Sequence, residues 1–139
     1  MQSPRTTQQY AGFEPYIGPL EQVPDGDGGF ALRFTIAPQH LNGADMLHGG
    51  MMMAFAAIVL AGTARAAADT DVEALAVNCD FTGPGKLGDV VTGRASVTRR
   101  TRTIVFLSCE IKTGGAQAGD ESAPRLLMTA TGVYKVARP

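Results

Sequence analysis

The ten residues Leu41-Asn42-Gly43-Ala44-Asp45-Met46-Leu47-His48-Gly49-Gly50 run directly into a long apolar segment. A helix opening there would present unpaired backbone N–H groups and a partial positive charge, and Gly49 and Gly50 would let a ligand approach that backbone with no Cβ in the way. Donors so placed stabilise the oxyanion of a tetrahedral intermediate in acyl transfer more than the ground-state carbonyl, which is what catalysis requires. Asn42 and His48 add polar side chains at the same mouth. Imidazole ordinarily titrates near neutrality, which makes His48 a candidate base, and Asp45 is the nearest carboxylate. A plainer reading of the same residues is a tight loop permitted by two glycines, with Asn42 and His48 satisfying loop carbonyls and Asp45 solvated or bonded to its own backbone. Met46, Met51, Met52 and Met53 crowd the start of the apolar segment. Thioethers adapt to irregular ligands, so Met52 and Met53 are candidates for an acyl pocket, with core packing as the alternative. Phe55 reads as core.

The elements that must position these residues follow from periodicity. Gly50 to Ala67 is composed of good helix formers and is apolar almost all round, so it must be surrounded by other structure. Phe30, Leu32, Phe34 and Ile36 alternate with Ala31, Arg33 and Thr35, the period of a strand with one buried face. Further strands are expected over Leu75–Phe81, Val90–Val97, Thr103–Lys112 and Leu126–Val136. Their inward sets are Leu75, Val77, Cys79 and Phe81, which turns Asp80 outward, and Val105, Leu107, Cys109 and Ile111. Pro24 to Gly29 reads as a turn, Gly83-Pro84-Gly85 and Thr113-Gly114-Gly115 as short connections, and Gly114 to Pro124 as a longer polar one. The order predicts an α+β domain over residues 1–139, an antiparallel sheet of about five to six strands wrapped round one long central helix, with residues 1–12 as a flexible N-terminal segment. Asp69, Asp71 and Glu73 follow the helix, too far along it to reach its N-terminus within one subunit.

Composition narrows the function. The chain has 139 residues, 45% hydrophobic, with a net charge of -1, a poor balance for broad phosphate neutralisation, so a nucleic-acid binder is not expected. No apolar h-region opens the chain and two cysteines make no disulfide framework, so a cytoplasmic protein is expected. The uncharged run from Met46 to Thr63 reads as a buried helix rather than a membrane span. Charge is uneven: residues 1–85 carry -6 and residues 86–139 carry +5. Arg94, Arg99, Arg100 and Arg102 supply much of the second value and could hold a phosphate or pair with carboxylates, or simply be solvated edge-strand positions. With only His40 and His48 in the chain and no metal-ligand spacing, neither a metal nor a resident cofactor is expected. Neither a dinucleotide-binding glycine motif nor a G-x-S-x-G elbow is present.

Asn42 six positions before His48-Gly49-Gly50, the long apolar helix, and a strand ending Asp80-Phe81-Thr82-Gly83-Pro84-Gly85-Lys86-Leu87-Gly88-Asp89 together resemble the hotdog-fold acyl-CoA thioesterases, in their PaaI-like (phenylacetate-pathway) branch. The likeness covers roughly Phe30 to Val136. It implies a hotdog subunit, a homodimer joined sheet edge to sheet edge or a dimer of such dimers, and hydrolysis of an acyl-CoA thioester at the subunit interface, with coenzyme A present only as part of the substrate. Carried over, Gly49 gives its N–H to the thioester carbonyl, Asn42 holds or polarises the same region, and His48 orders the loop. The branch's helix carboxylate, nine positions after the motif histidine, falls on Ala57, and the Ser or Thr that assists it falls on Ala74. Both are methyl groups, and oxyanion donors alone neither generate hydroxide nor form a covalent intermediate. The expectation is therefore a thioesterase for a small-to-medium acyl or aryl-acyl thioester, with Gly50, Met52, Met53 and Ala74 against the substrate and Arg99, Arg100 or Arg102 on the CoA phosphates. The alternative is an acyl-thioester binding protein that no longer hydrolyses. A hotdog dehydratase or hydratase is a third reading, weakened by the same lack of a positioned carboxylate.

Overall fold

The computed structural model describes residues 12–24, 30–114 and 124–137. The expectations for the N-terminal segment over 1–11, the Asp-Gly turn over 25–29 and the polar connection over 115–123 lie outside the described residues.

Six antiparallel strands form one sheet in the order β1-β2-β4-β5-β6-β3, with β1 Glu21–Val23, β2 Ala31–Thr35, β3 Val72–Phe81, β4 Val90–Arg100, β5 Ile104–Thr113 and β6 Arg125–Val136. A short helix α1 (Phe13–Ile17) precedes the sheet, a 3₁₀ turn (Pro38–His40) follows β2, and the central helix α2 spans Gly49–Ala68. This is the α+β architecture expected from the alternation of the strands and the all-round apolarity of the helix.

The sheet closes on α2 through Met51, Met52, Phe55, Ala56, Val59, Leu60 and Ala64, all buried. Against them lie the inward residues of β5, Val105, Leu107, Cys109 and Ile111, in the period-2 set read from the sequence. Phe34 meets Phe55 edge to face with ring centroids 4.8 Å apart. Gly93 lets β4 cross the helix closely, since a Cβ there would stand 2.8 Å from Phe55 Cε2. By length and composition alone α2 could cross a membrane; here its Met51–Ala64 stripe is the centre of the core.

Three local expectations need correction. Ala31 is fully buried although the alternation puts it on the outward face of β2, because β2 is flanked by β1 and β4 and the methyl is small enough to be covered. On β3 a bulge between Ala74 and Ala76 takes Leu75 out of the alternation and leaves it exposed. Phe81 at the end of β3 is also 52% exposed, while Val77 and Cys79 between them pack on the core as expected.

Candidate active site

The loop that carries the motif is folded by its own side chains. Asn42 Oδ1 accepts from the N–H of Ala44 at 2.8 Å and of Met46 at 3.1 Å, and the Asn42 N–H donates to the Met46 carbonyl at 2.7 Å. Asp45, exposed, takes a left-handed φ of 59° at the tip of this turn, and its N–H donates to the Asn42 carbonyl. The base of the loop is fastened to two neighbours: the Leu47 N–H donates to the Gly85 carbonyl at 2.8 Å and the His48 N–H to the His40 carbonyl at 2.8 Å. Gly85 allows close packing there, since a Cβ would lie 2.9 Å from Ile36 Cδ1 and 3.2 Å from Leu47 Cβ.

His48 is the N-cap of α2, its Nδ1 accepting from the Gly50 N–H at 2.8 Å while its carbonyl accepts from Met52. That bond corrects one expectation. A neutral imidazole that accepts at Nδ1 carries its proton on Nε2, so the free nitrogen of His48 is a donor and not a base. His48 therefore caps the first turn of α2 with its side chain. Asn42 spends its side-chain carbonyl oxygen on the loop.

Of the first helical donors, the Gly50 N–H is taken by His48, whereas no group among the described residues accepts from the Gly49 N–H. Phe81 stands over Gly49: a Cβ built there would be 3.2 Å from Phe81 Cε1. The half-exposed ring thus packs beside the first residue of α2. The alternation of β3 reads Phe81 only as a core residue, and the signal that could have found this role is its position beside Thr82-Gly83-Pro84-Gly85, the segment that holds the loop.

Ala57 and Ala74 share a cleft. It measures about 510 Å³, lies between α1, β2, α2 and β3, and is lined also by Glu14, Arg65 and Tyr134. The Tyr134 hydroxyl donates to the Ala57 carbonyl at 3.1 Å. Burial pushes the Tyr134 phenol upward, the nearby Cys109 adds to this, and the Arg65 charge opposes it. Ala57 lies eight residues beyond Gly49, about 12 Å along the helix axis.

The methionines divide: Met52 is core, Met51 is buried beside a second cavity at the helix start, and Met53 is 45% exposed on α2. Arg99, Arg100 and Arg102 are exposed at the β4–β5 end. Arg100 donates to the Ala67 carbonyl in the last turn of α2. A cation there complements the helix dipole. It also sets the arginines about 27 Å from Gly49 along α2, so one subunit does not bring them to the candidate donor. Asp80 faces the outer side of the sheet, as read from the alternation. Cys79 and Cys109 point inward on their strands; burial pushes the Cys109 thiol up to about 12, with Cys79 and Glu110 adding to it, and raises Cys79, with Asp80 adding. Among the described residues no group of three metal-ligating side chains converges.

In sequence His40 stands out only as one of two histidines, yet it is buried and fully bonded. Its Nδ1 accepts from the Ala37 N–H at 2.9 Å and its Nε2 lies 2.7 Å from the Ile17 carbonyl, so the ring pins α1 to the loop. Phe34 packs edge-on against it at 5.0 Å.

Comparison with known proteins agrees with this geometry. The chain superposes on the PaaI protein of the Escherichia coli phenylacetic acid degradation operon with a TM-score of 0.77 at 21% identity, over 96% of this chain and 91% of that one. A mutant of the phenylacetic acid degradation protein PaaI from Thermus thermophilus gives 0.76 at 21% identity, over 90% and 98%. A hypothetical thioesterase from Streptococcus pneumoniae, solved with coenzyme A, gives 0.74 at 19% identity, over 86% and 90%. No curated protein matches in sequence. The profile of the thioesterase superfamily matches residues 44–119, from the motif loop through α2, β3 and β4 to beyond the end of β5, and on that match the chain belongs to the thioesterase superfamily.

Proposed function

We propose that this protein hydrolyses an acyl-coenzyme A thioester at a site shared by two subunits. The observation that carries the reading is the Gly49 N–H, unpaired among the described residues at the start of α2 while its neighbour is capped by His48. Superfamily membership supports thioester chemistry, and the coenzyme A in the Streptococcus pneumoniae structure supports the carrier. In the proposed step a water oxygen attacks the thioester carbon and gives its proton to a base, while the carbonyl π pair moves onto oxygen, held by the Gly49 N–H and Asn42 Nδ2. The tetrahedral intermediate collapses by breaking the C–S bond, and the thiolate takes the proton back, releasing free acid and thiol. His48 holds the donor in place. Asp45 remains the base that the loop itself offers.

A second reading, a thioester-binding protein without hydrolysis, is favoured by Ala57 and Ala74, whose methyls line one cleft. One experiment separates the two: thiol release from a panel of short, long and aryl acyl-CoA substrates, beside calorimetric binding of the same panel. Turnover lost in Asp45→Asn supports hydrolysis with a loop base. Tight binding without turnover overturns the hydrolytic reading in favour of the second.

A further inference from the structure

The cleft that holds Ala57 and Ala74 has a charged rim that hydrolysis itself does not use. Its floor is apolar, built from residues such as Leu32, Ile58, Ala61 and Val72, and among the described residues its lining has one cation, Arg65, and one carboxylate, Glu14. Arg65 pairs with Asp71 through Nε at 3.3 Å, and its two terminal nitrogens make no hydrogen bond among the described residues. A guanidinium held at Nε keeps that end-on pair of N–H groups, which can meet a carboxylate bidentately. Arg65 follows Ala57 and Ala61 at intervals of four on one side of α2, and a helical side chain leans back toward the N-terminus, so its charge is carried toward Ala57. The Tyr134 phenol registers where that charge falls: burial and Cys109 push it upward and Arg65 opposes them, and its hydroxyl is the one that donates to the Ala57 carbonyl.

We infer that this cleft receives an acyl group ending in a carboxylate, and that Arg65 binds that carboxylate and so sets specificity for a dicarboxylic over a monocarboxylic acyl thioester. The inference rests on the proposed thioester chemistry, in which a site shared by two subunits sets the Gly49 donor of one beside the Ala57 cleft of the other. The acyl chain then runs from Ala57 over the small side chain of Ala61 to Arg65, a path that suits a short linear diacid. A methyl end brought to the same place would leave the guanidinium without a ligand partner, whereas a carboxylate gives it a charge-assisted pair. The Asp71 pair is exposed on both sides, 53% and 82%, and so competes weakly for the guanidinium.

The test compares kcat/KM for glutaryl-CoA and pentanoyl-CoA, equal in chain length and different only at the terminal carboxylate, in the full chain and in Arg65→Met, Arg65→Lys and Glu14→Gln. The unaltered protein is expected to prefer glutaryl-CoA. That preference is expected to fall about tenfold or more in Arg65→Met and to be kept in part by Arg65→Lys, which retains the charge. It is expected to rise in Glu14→Gln, which removes the one carboxylate lining the cleft. Arg65 is exposed, so its variants should fold, as matched circular dichroism would confirm. No preference in the unaltered protein, or a preference that Arg65→Met leaves unchanged, would overturn the inference. If neither thioester is turned over, the hydrolytic reading fails on its own, and calorimetric binding of the glutaryl-CoA thioether analogue decides the inference: about tenfold weaker affinity in Arg65→Met supports it, and equal affinity overturns it.

Discussion

Removing one hydrogen from the Gly49 backbone tests the central claim with little collateral damage. Gly49 is the first helical residue after the His48 N-cap, the position where a helix best tolerates proline because its N–H has no intrahelical partner. The residue before a proline must be extended, and His48 already is, at φ −65° and ψ 132°. Gly49→Pro should therefore fold while deleting the proposed oxyanion donor, and loss of one such donor costs about 3 kcal/mol, or roughly 100-fold to 1000-fold in kcat. The new Cβ would stand 3.2 Å from Phe81 Cε1, so crowding needs its own control. Gly49→Ala supplies it: the same Cβ is added and the N–H stays. Thiol release from acyl-CoA, followed spectrophotometrically on both variants with their circular dichroism matched, gives the comparison. We expect Gly49→Pro to fall at least 100-fold below Gly49→Ala. Equal kcat in the two would refute the assignment of Gly49 as donor.

Three further outcomes follow from the same geometry. Ala57→Asp places a carboxylate in the cleft beside Ala74, and if water activation limits turnover the hydrolysis rate should rise about 100-fold or more; an unchanged rate in a folded variant would show that the missing carboxylate is not the limit. His48→Ala removes the acceptor for the Gly50 N–H and should lower stability by about 1 kcal/mol in urea denaturation. Cys109 is held near 12 in the folded protein against 9.0 for an ordinary thiol, so between those values the folded state keeps a proton that the unfolded chain has released; stability should fall with rising pH there by up to about 1.4 kcal/mol per unit, and Cys109→Ala should flatten that slope.

Much of this is legible in residue patterns, for reasons that can be located. The inward set Val105, Leu107, Cys109 and Ile111 is readable because β5 is flanked on both sides and its period is undisturbed. The start of α2 is readable to one residue because an apolar run follows two glycines. Leu75 escapes the alternation because nothing in Ala74-Leu75-Ala76 marks a bulge; the extra residue is imposed by pairing with Tyr134 and Val133 on β6. Helix α1 is invisible in the sequence for a related reason: five residues are too few for a period, and what holds them is His40, more than twenty residues away. His48 as a base fails on hydrogen-bond direction, which composition does not carry.

The candidate site is divided along α2, and the division itself constrains how two chains could complete it. Gly49 stands at the start of the helix, Ala57 about 12 Å along it and the arginines beyond its far end, so a thioester carbonyl held by one Gly49 cannot touch the Ala57 cleft of the same chain. If both serve one substrate, the copies are related by a two-fold axis that lays the helices antiparallel, and bringing each Gly49 beside the other Ala57 requires the axis to pass α2 midway between them, near residue 53. Met53 is there, the large apolar residue of α2 that the fold leaves 45% exposed. A side chain on such an axis meets its own copy, so Met53→Glu would oppose two like charges at close range while altering nothing inside the subunit core. We expect that variant to sediment as a monomer with intact circular dichroism and to lose turnover together with its partner. A Met53→Glu protein that remains an active dimer would show that the two halves of the site are not joined across this helix.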